Sequence, residues 1–431
     1  MAVTGDPGGR AAEAVEAAFR IEYARIIAAV ARVVRDVGIA EELAQDALLA
    51  ALEQWPGSGV PDRPGAWLTA VARNRAVDLV RRRETYARKL AEVGRDLADV
   101  PPPEPAEPDA IDDDLLRLIF TACHPVLSAD ARIALTLRLL GGLTTGEIAR
   151  AFLTAEPTVA QRIVRAKRAL ASADVPFEVP AGQERIARLG SVLEVVYLVF
   201  NEGYAATAGD DLLRPALCEE ALRLARVLQG LMPGEPEVHG LAALLEFQAS
   251  RIPARTGPSG EPVLLADQDR SRWSRLLMHR GAAALERAGP GPHGRYALQA
   301  AVAACHARAA RYEETDWATI ALLYGFLARL DPSPVVELNR AVAVSYAEGP
   351  QTALHLVDAL SGEPALGGYH LLPSVRGDLL ERMGRTDEAH GEFARAARLA
   401  RNARERALLH SRAARTAPGT AEPGTRGPGA G

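Results

Sequence analysis

Along most of the chain apolar residues recur three and four positions apart, and runs that alternate every second residue are scarce. In EPTVAQRIVRAKRAL (156–170), Val159, Ile163, Ala166 and Leu170 fall at i, i+4, i+7 and i+11, which makes a core stripe along one helix. Thr158, Gln161, Arg162, Arg165 and Arg168 fall on another face. The preceding GGLTTGEIARAFLTA has Thr144 followed by Glu147, the spacing of a capping box, so a helix is expected to start there and carry Ile148, Ala149 and Phe152 inward. LTAEP then supplies a tight break, with Thr154 expected to cap the next helix and Pro157 tolerated in its first turn. The local prediction is helix, short turn, helix.

Extending the same pattern gives an all-α protein in several parts. A first helical block is expected over 11–89, interrupted at WPGSGVPDRPGAW (55–67), where three prolines and three glycines oppose helix. An acidic, proline-rich linker covers 90–110, a second block 111–171, and a long helical region 181–415. The tail 416–431, rich in Gly and Pro, has nothing to bury and is expected to be disordered. In GDLLERMGRTDEAHGEFARAARL (377–399) the spacing of Gly377, Leu380, Gly384, Ala389, Phe393 and Ala396 matches the helix-turn-helix unit of the tetratricopeptide repeat. A weaker copy occupies 336–360, with Gly349 at the turn and Ala353 and Leu356 beyond it. Two units are fewer than the ~3 a solenoid needs, so earlier helices are expected to add degenerate repeats or a cap.

Composition narrows the function classes. Of 431 residues 48% are hydrophobic and 24% charged, with no apolar window long enough to span a membrane. The N-terminal MAVTGDPGGR lacks the basic start and apolar run of a signal peptide, and Cys123, Cys218 and Cys305 are isolated, which together fit a cytoplasmic protein. No HExxH, no CxxC and no glycine-rich phosphate loop after a strand is present, so neither enzyme chemistry nor a metal or cofactor is expected. The net charge of -5 hides a segregation. Residues 71–89 hold seven basic and two acidic side chains, as do 131–170, whereas 13–54 hold eight acidic against four basic. That distribution points to more than one macromolecular partner.

The basic stretches have a mechanism for nucleic acid. On the 156–170 helix, Arg and Gln can pair with base edges in a major groove while Thr positions on phosphate. In PGAWLTAVARNRAVDLVRRRETY (64–86), Arg73, Asn74, Arg75, Asp78, Arg81, Arg82 and Arg83 line the side away from Trp67, Val71, Val77, Leu79 and Val80. An Asn between two arginines, ahead of an Arg triplet, can meet phosphates and an unstacked base. Taken alone, a basic face such as that of the 156–170 helix is more often a solvated surface, and the Arg81–Arg83 triplet is equally compatible with a helix end compensating its dipole.

Three motifs in order, GIAEELAQDALLAALEQW (38–55), PGAWLTAVARNRAVDLVRRR (64–83) and LTLRLLGGLTTGEIARAFLTAEPTVAQRIVRAKRAL (135–170), resemble bacterial sigma factors of the extracytoplasmic-function (ECF) type, with their sigma-2 and sigma-4 domains. The long C-terminal part resembles the extension of a subgroup that carries tetratricopeptide-like helices after sigma-4. This resemblance implies docking on core RNA polymerase by Glu41, Glu42, Gln45, Asp46 and Leu49, and minus-10 promoter recognition and melting by the loop 56–66 with Arg73, Asn74, Arg75, Asp78, Arg81, Arg82 and Arg83. It implies minus-35 recognition by Thr158, Gln161, Arg162 and Arg165, with Lys167 and Arg168 nearer the backbone. Pro157 and Ala160 depart from the commoner pattern, which leaves the preferred sequence open. In the extension, Asn201, Glu202, Asp267, Asp269, Arg270, Arg272 and Trp273 either line a pocket, hold a sigma domain, or satisfy one another at a helix junction. The alternative to a sigma factor is a stand-alone helix-turn-helix regulator with an effector-binding or protein-binding repeat domain.

Overall fold

The structure is a computed structural model and describes residues 7–92, 108–152, 154–206, 210–289, 291 and 294–417. Those residues form eighteen α-helices, five short 3-10 turns and one isolated bridge between Thr256 and Pro262, with no strand. The all-α expectation holds. Most of the expected linker 90–110 and of the tail 416–431 lies outside the described residues. By its contacts the chain divides into two units, Met1–Val199 and Phe200–Gly431.

In the first unit α1 (Pro7–Val34) packs against α2 (Val37–Ser58), α3 (Pro64–Glu92) and α4 (Pro108–Ala122). The α1–α2 junction is tight because Arg35 adopts a positive φ of 55° and Asp36 caps α2, accepting from Gly38 N (2.7 Å) and Ile39 N (3.0 Å). α2 turns Ala40, Ala44, Ala47 and Ala51 inward, all fully buried, and these short side chains let α1 and α3 approach closely. The expected break at 55–67 is shorter than its proline and glycine content predicts: α2 runs through Pro56 to Ser58, and α3 opens on Pro64. Trp55 explains the extra turn. Its ring is 2% exposed and meets Trp67 edge-on at 5.5 Å, which anchors the last turn, while Ser58 Oγ bonds Gln54 O at 2.9 Å.

The second part of this unit comprises α4, α5 (Ala129–Leu139), α6 (Thr145–Ala151), α7 (Glu156–Ser172) and the start of α8 (Gly182–Tyr204). α7 buries Val159, Ile163, Ala166 and Leu170, the stripe its periodicity predicts. The Thr144–Glu147 box forms as expected, Thr144 N donating to the Glu147 carboxylate (2.8 Å) and Glu147 N to Thr144 Oγ1 (3.2 Å). Thr154 does not cap α7. The cap position is Ala155, without a side-chain bond, and Pro157 in the first turn removes a donor that would need one. Glu156 instead reaches back to Thr145 Oγ1 (2.9 Å), bracing α6 against α7. α8 is tied to this assembly by Arg132, which donates to Ser191 and to Glu194 (3.2 Å), and by Ser191 Oγ, which donates to Cys123 O (2.7 Å).

The second unit continues as α9 (Pro215–Leu231), α10 (Pro236–Ser250), α11 (Arg275–Ala288), α12 (Arg295–Arg308), α13 (Trp317–Leu330), α14 (Pro334–Ala347), α15 (Pro350–Ala359), α16 (Leu371–Arg382), α17 (Thr386–Leu399) and α18 (Ala403–Arg415), and from α12 onward each packs on the next. The α16–α17 pair realises the repeat spacing. Leu380, Ala389, Phe393 and Ala396 are fully buried, Gly384 turns at φ 73°, and a Cβ on Gly377 would sit 2.8 Å from the Phe393 ring. The weaker copy is α14–α15, where Gly349 turns at φ 101° and Ala353 is fully buried. Asn402 closes this unit: its amide donates to Ala206 O (3.2 Å) and Asp211 O (2.9 Å) while its oxygen caps α18.

Candidate nucleic-acid interface

Helix α7 keeps an open face. Thr158, Gln161, Arg165 and Arg168 are exposed opposite the buried stripe. The other two basic residues of this helix are engaged: Arg162 pairs with Asp130 of α5 at 3.1 Å, and Lys167 with Glu41 of α2. On α3, Asn74, Arg75, Asp78, Arg81, Arg82 and Arg83 are exposed and Arg73 is half-buried. Arg75 pairs with Asp46 of α2 at 3.5 Å, so a residue expected on DNA and one expected on polymerase lie side by side.

On α2 the expected docking residues separate. Glu42, Asp46 and Leu49 are exposed, Leu49 at 57%, and share one face with Glu53. Gln45 is half-buried and donates to Glu41 (3.1 Å) and to Tyr23 OH (3.3 Å). Glu41 lies beneath that face at 2% exposure, its carboxylate held by Arg138 Nε (2.5 Å), Lys167 and the Tyr23 hydroxyl (3.4 Å). Burial, and then the Glu41 charge, push the Tyr23 hydroxyl pKa well above its usual value. Arg138 and Lys167 come from α5 and α7, so one buried carboxylate joins α2 to the helix-turn-helix part of the same unit. Sequence reasoning missed Arg138. Its one signal was an arginine between Leu137 and Leu139, both fully buried, in an otherwise apolar run.

In the extension, Glu202 is buried against Arg214, whereas Arg270 donates to His306 O and to Ala309 O (2.7 Å) and stacks on Trp273. Asp269 caps the turn that follows it, Asp267 and Arg272 are exposed, and Asn201 is half-buried. These contacts make Arg270 and Trp273 a helix junction in which Arg270 serves one last-turn carbonyl of α12 and that of its cap residue Ala309. They do not bring Glu202 to that cluster.

Comparison with known proteins follows this division. Sigma-70 region 2 matches residues 19–85, Sigma-70 region 4 matches 117–170, and a family of unknown function, DUF6596, matches 188–289. The ECF RNA polymerase sigma factor SigK of Mycobacterium ulcerans (strain Agy99) is 31% identical over 150 residues, 34% of this chain and 78% of that protein. The chain belongs to the ECF sigma factors. SigL of Mycobacterium tuberculosis (strain CDC 1551 / Oshkosh), another ECF sigma factor, is 32% identical over 140 residues, 32% of this chain and 76% of that one. An uncharacterised protein of Rhizobium meliloti (strain 1021) is 48% identical over 392 residues, 88% of this chain and 90% of that one, so it shares the extension as well. No solved structure gives a significant match. Helices α1–α3 are therefore the sigma-2 part and α4–α7 the sigma-4 part of an ECF sigma factor that carries a helical extension. Among the described residues no helix is long and apolar enough to cross a membrane.

Proposed function

We propose that this ECF sigma factor binds core RNA polymerase through the exposed face of α2 and directs it to promoters, with α3 and the preceding loop acting at the minus-10 element and α7 at the minus-35 element. The observation that carries this is the open face of α7, where Thr158, Gln161, Arg165 and Arg168 stand clear of the core stripe in a match to region 4. Arginine and glutamine at that spacing suit bidentate bonds to base edges, and threonine suits phosphate. Lys167 is occupied by Glu41, so direct DNA contact falls first to the four open residues. On α3, Asn74 is the candidate for a flipped base, whose unstacking costs a few kcal/mol, and Arg81, Arg82 and Arg83 the candidates for phosphates. The α2 face, acidic at Glu42 and Asp46 around an apolar Leu49, suits a basic partner helix. The extension is assigned to regulating the sigma domains or holding a protein partner.

Transcription reconstituted from core polymerase and the purified chain tests this. Transcripts should start at promoters enriched in cells overproducing the protein, and Gln161→Ala with Arg165→Ala should abolish them while leaving α7 folded. If no such promoter yields a transcript, the assignment fails.

A further inference from the structure

Helices α11 and α12 form an antiparallel pair joined by residues 289–294, so the first turn of α11 and the last turn of α12 lie at the same end. That end carries Arg275, the first residue of α11, and Arg308, the last of α12. Both are exposed, and neither has an ion-pair partner among the described residues. Arg270, not Arg308, donates to the carbonyls of His306 and Ala309 at this end of α12. Away from the two arginines and His279, which follows Arg275 by one turn of α11, the groove is lined by apolar groups: Met278 and Ala282 from α11, Ala304 and Ala307 from α12, and Phe247 from α10. Gly281 lets α11 rest on Phe247, where a Cβ would sit 3.0 Å from the ring.

The cavity measures 340 Å³. That size falls within the range of small-molecule sites. Two guanidiniums with no ion-pair partner among the described residues attract an anion with two oxygens. A groove with two arginines at one end, His279 beside them and apolar side chains along the rest selects a ligand with a charged head and a hydrocarbon tail.

We propose that this groove binds a small apolar monocarboxylate, its carboxylate between Arg275 and Arg308 and its chain along Met278, Ala282 and Ala304 over Phe247. The site does not depend on how the sigma domains act, and it gives the extension a chemical input of its own.

Calorimetric titration of the full-length chain with sodium decanoate, below its micelle concentration, tests the proposal, with decanamide as the neutral counterpart. Decanoate should bind saturably at one site, and decanamide about tenfold or more weakly, since charge-assisted bonds to arginine are lost. The pair Arg275→Gln and Arg308→Gln should weaken decanoate by a similar factor. Ala282→Leu, at an exposed position that folding tolerates, should fill the groove and abolish binding of both compounds. Absence of saturable decanoate binding overturns the proposal, as does affinity unchanged in the double arginine variant. Binding of an acidic, leucine-containing peptide to a wild-type chain that ignores decanoate also overturns it and makes the groove a protein-docking site.

Discussion

Replacing Glu41 by Gln removes one buried charge and leaves its shape. The Glu41 side chain is 3% exposed, while those of its cationic partners Arg138 and Lys167 are 19% and 21% exposed. Breaking a fully buried ion pair by deleting one member costs about 3–5 kcal/mol, and an exposed pair contributes about 0–1 kcal/mol. Here the carboxylate is sequestered but both cations reach water and can rehydrate, so the expected loss lies between, at about 2 kcal/mol. Because Arg138 and Lys167 sit on α5 and α7, that loss should fall on the packing of α2 against those helices. Native-state hydrogen exchange on the full chain reads this locally. Amides of α2 and α7 that open together should exchange about 30-fold faster in Glu41→Gln, since each 1.4 kcal/mol is about a factor of ten. Glu42→Gln, one residue away and exposed, should change exchange by less than about twofold. In the Glu41→Gln background Lys167→Met should add little, because the lysine has already lost its counter-charge. Equal exchange in the Glu41 and Glu42 variants would refute the claim that this carboxylate joins the two parts of the unit.

Other predictions test separate steps. Phe393→Ala should destabilise the second unit by about 3–5 kcal/mol, because the ring is fully buried against Gly377, and chemical denaturation should show a lowered midpoint. His306 is 9% exposed; burial, then Arg251 and Arg270, lower its pKa from 6.5 to about 4. Its neutral form thus stabilises the fold above pH 6.5, and as pH falls from 7 to 5 the unfolded chain takes up the proton first, at a cost of roughly 2 kcal/mol. Thermal unfolding should follow that dependence, and His306→Asn should flatten it. Cys123, Cys218 and Cys305 are at most 8% exposed, and burial raises the first two thiols to about 11 and about 12, so iodoacetamide at pH 8 should leave all three unmodified until the protein is denatured. A chain ending at Val199 should give altered transcript yield relative to the full chain, and one ending at Ala173 should in addition melt earlier, because it loses the bonds that Arg132 donates to Ser191 and Glu194; equal yield from the Val199 chain would assign the extension to another task.

What was legible in the sequence follows from sequence distance. The α7 stripe, the Thr144–Glu147 box and the α16–α17 spacing each rest on residues within one helix or one helix pair, where a fixed period decides which side chains turn inward. The local expectations that failed did so where tertiary packing outweighed propensity. Pro56 reads as a break, yet a proline near a helix end removes only one bond, and burial of Trp55 beside Trp67 holds the extra turn. Thr154 reads as a cap, yet the chain places Ala155 there and uses the Glu156 carboxylate to join α6 and α7.

The candidate interface was legible to the same depth. Helical period alone exposes Thr158, Gln161, Arg165 and Arg168 on α7, and Glu42, Asp46 and Leu49 on α2. It cannot place Glu41, because the groups that decide its fate are 97 and 126 residues further along the chain. A glutamate beside Glu42 looks like one more member of an acidic face, and one step of 100° around the helix turns it from solvent to the α5–α7 contact. Once there it needs counter-charges, since an unpaired buried carboxylate would cost several kcal/mol. Arg138 and Lys167 supply them, and in doing so Lys167 leaves the set of unpaired basic side chains on α7. Charge counted along a helix therefore overstates its open basic face: of the four basic residues on α7, Arg162 pairs with Asp130 and Lys167 with Glu41, and Arg165 and Arg168 remain exposed without such a pair.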